Sequence, residues 1–341
     1  MHLRPLGPTG TLVGAFALGT MTFGSEADEP TSHALLDAFA EAGGTLIDGA
    51  DVYSGGESES IIGRWLAANP TTAERMVIAT KGRFPMGPDA NDLGTSRRHL
   101  RRALDASRRR LGVDHIDLYQ LHAWDPLTPL DETLQFLADA MRSGAISYWG
   151  VSNFTGWQLT KAVHRAAALG MPGPVTIQPQ YSLLAREIEF EIVPAALDAR
   201  VGVLPWGPLG GGWLTGKYRR GELPTGATRL GENPGRGMEA VDRRGAQERT
   251  WRVVDALVRV ADDLGVPPAR VALAWLAHRP GVTSVILGAR TAEQLADNLA
   301  AAGLELDAEH RTLLDEASAP ETPDYPYGEL GIEQRSRGIG R

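Results

Sequence analysis

The chain of 341 residues contains no cysteine, which excludes thiolate catalysis, cysteine-ligated metals and disulfides. Lysine is almost as scarce: Lys81, Lys161 and Lys217 are the only three among 34 basic residues, the rest being arginine. No apolar run approaches the length of a membrane span. The opening MHLRPLGPTGTLVG lacks a basic flank leading into an apolar stretch, which argues against a secretory signal. Positive charge is also short, and the formal net charge of -8 disfavours bulk attraction to nucleic acid or anionic lipid. The one basic concentration, RRHLRRALDASRRR from Arg97 to Arg110, is threaded by Leu100, Ala103, Leu104, Ser107 and Leu111 at helical spacing. Its arginines therefore decorate the wet face of a helix. No paired His or carboxylate has ligand spacing such as H-E-x-x-H, so no metal site is expected. The expectation is a cytoplasmic protein with neither a membrane nor a nucleic-acid partner.

What is present is a rhythm of short apolar runs and amphipathic stretches. Strands are expected at Ala15–Gly19, Thr45–Asp48, Met76–Thr80, Ile116–His122, Ser147–Ser152, Val175–Gln178, Val201–Trp206 and Ser284–Leu287. Helices are expected between them at 31–42, 57–68, 95–111, 131–143, 156–169, 189–199, 247–264 and 268–279, with 291–302 after the last strand. Eight such units without a composition break predict an α/β chain folded as one (β/α)8 barrel over 1–341. A doubly wound sheet is the alternative, but no G-x-G-x-x-G lies between a strand and a helix. Residues 1–14, with Gly-Pro-Thr-Gly at their middle, read as a hairpin plugging the barrel bottom. The stretch 207–246 is rich in Gly, Pro and Arg without a period, as expected of a long loop at the C-terminal face. The tail 320–341, with PDYPYG, is loop-like too.

Active sites of such barrels gather at the C-terminal ends of strands. There the chain delivers Gly19-Thr20-Met21, Asp48 with Tyr53 close behind, Lys81, His122, Ser152-Asn153, Gln178, Trp206 and Gly288-Ala289-Arg290. Taken singly, an Asp is a turn former and a His structural. An acid, a phenol, an amine and an imidazole on consecutive strand ends face one small volume, and coincidence is the poorer reading. Asp48, a carboxylate closing an apolar run, requires a buried partner, and Lys81 fits. An ammonium about 4 Å from a phenol contributes roughly 4 kcal/mol at an effective dielectric of ~20, which would draw Tyr53 down toward working pH. Neutral His122 would donate a hydrogen bond to a substrate oxygen. Such a set moves one proton onto or off a carbonyl oxygen, and a hydride source must accompany it. Asn153 and Gln178 suit a carboxamide, Trp206 an aromatic ring, the Gly-rich loop after it a pyrophosphate, and Arg290 a terminal phosphate. These describe a nicotinamide dinucleotide across the barrel mouth.

At these residues the sequence resembles the aldo-keto reductase family over essentially its whole length. The matching segments are FALGTMTFG, LIDGADVYSGGESE, VIATK, LYQLHAWDP, YWGVSNF, IQPQYSLL, LPWGPLGGGWLTGKY and VILGARTAEQLADNLAA. The resemblance implies a TIM barrel that uses NADPH, less often NADH, to reduce aldehydes and ketones, or runs in reverse. It implies Tyr53 as proton donor, Asp48 and Lys81 lowering its pKa, and His122 orienting the carbonyl. It assigns Ser152, Asn153 and Gln178 to the carboxamide and Trp206 to the nicotinamide ring. Gly207, Pro208, Leu209, Gly210 and Gly212 fall to the pyrophosphate loop, with Lys217 beside it. Gly288, Arg290, Gln294 and Asn298 match the site for the 2′-phosphate of NADP. Gly19, Thr20 and Met21 border the coenzyme, while Trp124 and Phe84, with Met21 and the tail near Tyr325 and Tyr327, are candidates for the substrate wall. The sequence departs from the family pattern at Gly49, where Thr is common, at Ser54, where Gly is common, and at Gly288 and Gln294, where one branch has Lys and Arg. Potassium-channel β-subunits share the barrel, so a nicotinamide-binding regulatory subunit is the competing reading. The oligomeric state is left open.

Overall fold

The structure is a computed structural model that describes residues 1–226, 229–235 and 237–328. Eight parallel strands follow a two-stranded antiparallel hairpin. The hairpin pairs β1 (Leu3–Pro5) with β2 (Leu12–Gly14). The parallel strands are β3 (Phe16–Gly19), β4 (Leu46–Asp48), β5 (Val77–Gly82), β6 (Ile116–Leu121), β7 (Ile146–Ser152), β8 (Thr176–Gln178), β9 (Gly202–Val203) and β10 (Val285–Leu287). They hydrogen-bond in the order β10-β3-β4-β5-β6-β7-β8-β9. A bridge between Val203 and Val282, and a bond from the Ile286 N–H to the Pro205 carbonyl, draw the two edges together. The result is the (β/α)8 barrel that the alternating pattern predicts.

Boundaries differ from expectation where a backbone partner decides them. β5 runs on through Lys81 and Gly82 because these pair with Gln120 and Leu121 of β6. Lys81 is therefore inside a strand, and its side chain is fixed by the ladder. β9 is two residues long, since Pro205 has no N–H to continue it. The helix Ala308–Ser318, unforeseen in the sequence, is started by Asp307, whose carboxylate accepts the His310 N–H at 2.8 Å. It packs on the helix Glu248–Leu264. The stretch 207–246 contains short helical turns at Gly210–Thr215, Arg229–Glu232, Gly237–Glu239 and Val241–Arg244. Its residues 227, 228 and 236, and 329–341 of the expected tail, lie outside the described residues. Tyr327 of the tail stacks on Phe190. No helix among the described residues is long and apolar enough to cross a membrane.

The barrel bottom is closed by the hairpin. Leu6 and Val13 join Ala17, Leu46, Ala79, Leu118, Val175, Leu204 and Ile286 in one buried lumen cluster, separate from the larger core between sheet and helices. Gly7 lies so close beneath β8 that a Cβ there would stand 2.0 Å from the Val175 carbonyl oxygen. The Arg4 guanidinium ties the hairpin to the Ala277 and Val282 carbonyls. The hairpin thus closes the lumen at its N-terminal end, opposite the C-terminal mouth where barrels of this kind bind ligands. Leu6→Ala is expected to cost about 2–5 kcal/mol and to lower Tm by several degrees; an unchanged melting curve would show that the hairpin does not support the lumen.

Candidate active site

The strand register brings distant residues into one polar layer. Asp48 pairs with Ala79, Lys81 with Gln120, Gln120 with Gly150, and Ser152 with Gln178. Alternate residues of each strand face the lumen, so Asp48, Lys81, Gln120 and Gln178 converge. The Lys81 ammonium donates to Asp48 Oδ2 at 2.7 Å, to the Gly49 carbonyl at 2.8 Å and to the Tyr53 hydroxyl at 3.4 Å. Lys81 is fully buried and Asp48 nearly so. Asp48 Oδ1 accepts the side-chain amides of Gln178 at 2.9 Å and Gln120 at 3.3 Å. The pair is therefore hydrogen-bonded on every side, the condition under which a buried ion pair is tolerated. Gly150 leaves the room: a Cβ there would lie 2.2 Å from Thr176 Oγ1.

Gln120 is the functional neighbour that sequence reasoning missed. Its one signal was an amide two residues after Leu118, on the lumen-facing register of the strand IDLYQL.

Burial alone would lower the Lys81 ammonium, but Asp48 and then Tyr53 outweigh it and the net direction is upward. For Tyr53 the sequence expectation is corrected. Desolvation raises its phenol by more than the Lys81 charge lowers it, so the hydroxyl stays above its ordinary value. Burial pushes His122 down to about 2, assisted by the charges of Lys81 and Arg83, so the imidazole is neutral as expected. The His122 ring stands 6.0 Å from the Tyr53 ring and 4.3 Å from Phe84, and its Nδ1 is buried without a partner.

The turn that carries Tyr53 is held in an uncommon backbone. Ser54 has φ 49°, a left-handed conformation that favours glycine. Its hydroxyl donates to the Phe23 carbonyl at 2.6 Å, which offsets that cost. Gly49 has no such steric reason, since a Cβ there would meet only ordinary contacts; what it contributes is its carbonyl to Lys81.

The remaining expected residues form an arc around this centre. Asn153, also left-handed at φ 55°, donates to the His122 carbonyl and to Ser152 Oγ, and its oxygen accepts the Trp206 indole N–H at 3.0 Å. Ser152 in turn donates to the Gln178 carbonyl. Trp206 is half-buried, with its ring orientation set by that bond. Gly207, Gly210, Gly211 and Gly212 all adopt positive φ, so the backbone after Trp206 has a course only glycine follows freely, with Pro208 and Leu209 between. Lys217 lies along Gly212. Burial and the charge of Arg290 lower Lys217, which places two cations near one another. Arg290 is held by Glu26 at 2.6 Å and Glu232 at 2.8 Å, and its N–H donates to Gln294. Asn298 is buried beneath, and a Cβ at Gly288 would meet open space.

The other expected residues differ in how they pack. Thr20 turns inward, donating to the Asp48 carbonyl and accepting from Ser58. Gly19 is packed under Ile286, while Met21 is exposed. Trp124 leans edge-on against Phe154 and Trp157.

The family model described as "Aldo/keto reductase family" matches residues 15–319. The chain belongs to the aldo/keto reductase family. It is 37% identical over 336 residues to YrpG of Bacillus subtilis, an uncharacterized oxidoreductase, covering 95% of this chain and 99% of that one. It is 34% identical to a probable voltage-gated potassium channel subunit beta of Arabidopsis thaliana, covering 88% of this chain and 91% of the relative. It is 31% identical to the versiconal hemiacetal acetate reductase of Aspergillus parasiticus, covering 94% and 98% respectively. An aldo/keto reductase is an oxidoreductase working with a nicotinamide coenzyme on small carbonyl substrates, and the site has the polar groups for that chemistry.

The His122 state is directly testable. Its ring protons should not titrate between pH 5 and 9 by NMR; a midpoint near the unperturbed value of about 6.5 would show an imidazole exposed to solvent.

Proposed function

We propose that this aldo/keto reductase reduces aldehydes or ketones to alcohols, reversibly, with NADPH as coenzyme and Tyr53 as proton donor. The observation that carries the reading is the Lys81 ammonium 3.4 Å from the Tyr53 hydroxyl, fixed from behind by Asp48. Because burial keeps the phenol protonated near neutrality, Tyr53 has a proton to give. As that proton leaves, negative charge forms on the phenolic oxygen beside the ammonium. Unit charges about 4 Å apart interact by roughly 4 kcal/mol at an effective dielectric of ~20. Lys81 therefore acts on charge that develops in the transition state more than on the resting phenol. Neutral His122 orients the carbonyl oxygen, with Phe84 and Trp124 as apolar wall. A bound nicotinamide coenzyme would supply the hydride for the carbonyl carbon and leave oxidised; Tyr53 gives its proton to the carbonyl oxygen, so that one O–H bond forms as the phenolic one breaks, and recovers a proton from water.

The residues present fit such a coenzyme. Ser152 and Asn153 would hold the carboxamide, joined by the side-chain oxygen of Gln178, whose nitrogen is taken by Asp48. Trp206 would face the nicotinamide ring, and the glycine loop 207–212 would take the pyrophosphate. Lys217 and Arg290 are neighbouring cations suited to phosphate, and the Glu232 carboxylate on Arg290 marks an anion position there. Arg290, with Gly288, Gln294 and Asn298 around it, favours NADPH over NADH. The net charge of -8 favours a small-molecule partner over nucleic acid or an anionic membrane surface.

The likeness to potassium-channel β-subunits favours a second reading, a nicotinamide-binding regulatory subunit. Mixing the protein with NADPH and 4-nitrobenzaldehyde separates the two. Turnover is expected, and Tyr53→Phe should lower kcat by about 10²-fold or more while NADPH binding is kept. Tight NADPH binding without turnover above that variant would favour the regulatory subunit. Arg290→Ala is expected to raise KM for NADPH far more than for NADH, and equal effects would show that Arg290 does not read the 2′-phosphate.

A further inference from the structure

A second carboxylate is buried three residues after Asp48, and the proposed reaction does not use it. Asp51 has no solvent exposure, and neither carboxylate oxygen has a hydrogen-bond partner. Its backbone N–H is held by the Lys81 carbonyl at 3.0 Å, so it cannot swing away without disturbing the strand that carries Lys81. The Val52 N–H lies close by without reaching hydrogen-bond geometry.

The groups facing Asp51 are Glu59 on the helix Glu57–Ala68, Arg110 on the helix Arg97–Leu111, Lys81 on β5 and Tyr119 on β6, with Tyr53 on its own turn. Glu59 is also fully buried, but it is built as an anion. It accepts the Thr80 hydroxyl at 2.5 Å and the Arg110 guanidinium at 2.7 Å. Arg110 is pressed against the Gly-Gly turn behind Tyr53, where a Cβ at Gly56 would stand 2.8 Å from its Nε. The Tyr119 hydroxyl is buried without a partner and fills space that a Cβ at Gly82 would occupy. Thus Arg110 is drawn to Glu59 through Nε while its buried Nη2 makes no hydrogen bond, and the Lys81 ammonium is spent on Asp48, the Gly49 carbonyl and Tyr53. None of Arg110, Lys81, the Tyr119 hydroxyl and the Val52 N–H reaches hydrogen-bond geometry with Asp51, so an ionised carboxylate there would go without a hydrogen bond, and a neutral acid is what so bare a site tolerates.

We propose that Asp51 carries its proton while the enzyme works, and that this neutrality lets Tyr53 release its own; Asp51 is a positioning residue whose ionisation slows reduction. A charge on Asp51 raises Tyr53, because it opposes the phenolate that must form. Burial first, and then the charge of Glu59, push Asp51 up to about 7. The switch therefore falls within the working range of pH. This inference rests on Tyr53 as proton donor, so its test needs one arm that is independent of activity.

That arm is stability. Unfolded Asp51 ionises near its ordinary value of 3.8 and the folded group near 7. The stability conferred by the native proton is complete below the lower value and is lost as pH rises through the upper one. Asn mimics the neutral acid at every pH, so Asp51→Asn should gain Tm relative to the unaltered protein at pH 8 and much less at pH 5. A variant that loses more at pH 8 than at pH 5 would mean that Asp51 works ionised and would overturn the proposal. In the activity arm, reduction of 4-nitrobenzaldehyde should fall severalfold between pH 6 and 8, because a charged Asp51 raises Tyr53, and Asp51→Asn should stay flat. The same fall in Asp51→Asn would assign it to another group. Absence of turnover at all pH values would remove the reading of Tyr53 and this role with it, while the Tm contrast still decides where the proton resides. Should Asp51→Asn fail to fold, carboxyl-carbon NMR of the unaltered protein labelled at aspartate decides: a buried carboxyl titrating near pH 7 supports the proposal, and none titrating there overturns it.

Discussion

A fully buried ammonium dictates much of this barrel's interior. Lys81 cannot be charged in an apolar lumen unless its surroundings replace the water it has lost. Asp48, the Gly49 carbonyl and the Tyr53 hydroxyl do so on one side, and Gln178 and Gln120 satisfy the far oxygen of Asp48. They come from the end of β4 and the turn after it, from β6 and from β8, so the ion pair is also a register lock. Slipping β5 by one residue would turn Lys81 to the opposite face and leave Asp48 without its cation. The lumen accordingly divides into an apolar floor, closed by Leu6 and Val13 of the hairpin, and a polar layer above it. Only that layer opens toward the C-terminal mouth.

The backbone around this layer carries the exceptions to ordinary conformation. Ser54 and Asn153 occupy the left-handed region, and each is bound through its own side chain: Ser54 to Phe23, Asn153 to His122, Ser152 and Trp206. Strain of this kind persists only where the surroundings over-determine it. Here it aims a phenol at Lys81 and fixes an indole at the rim. Two carboxylates in the same turn meet opposite fates for the same electrostatic reason. Asp48 has donors and a cation, whereas Asp51 has neither to itself.

Much of the fold and the centre was legible in the chain. The alternation of short apolar runs with amphipathic stretches specified the barrel, and the scarcity of lysine made Lys81 conspicuous at the end of an apolar run. Less legible were features that depend on partners distant in sequence. The short β9 follows from Pro205, but the extension of β5 through Gly82 follows from pairing with β6. The helix Ala308–Ser318 has few buried residues, and its periodicity was too thin to stand out. Gln120 reads as an ordinary strand residue until the ladder sets it beside Lys81.

By itself the sequence determined which chemical groups exist and on which strand ends they lie, because side-chain alternation and strand order are encoded locally. It could not set the balance between burial and charge at Tyr53. Proximity to Lys81 alone predicts a more acidic phenol, yet desolvation, which depends on everything packed around the ring, prevails. The same holds for the Asp51 carboxyl, bare because Arg110 was drawn to Glu59 across the helix layer. Which donors reach which acid is a matter of three-dimensional packing, and only the tertiary structure decided it.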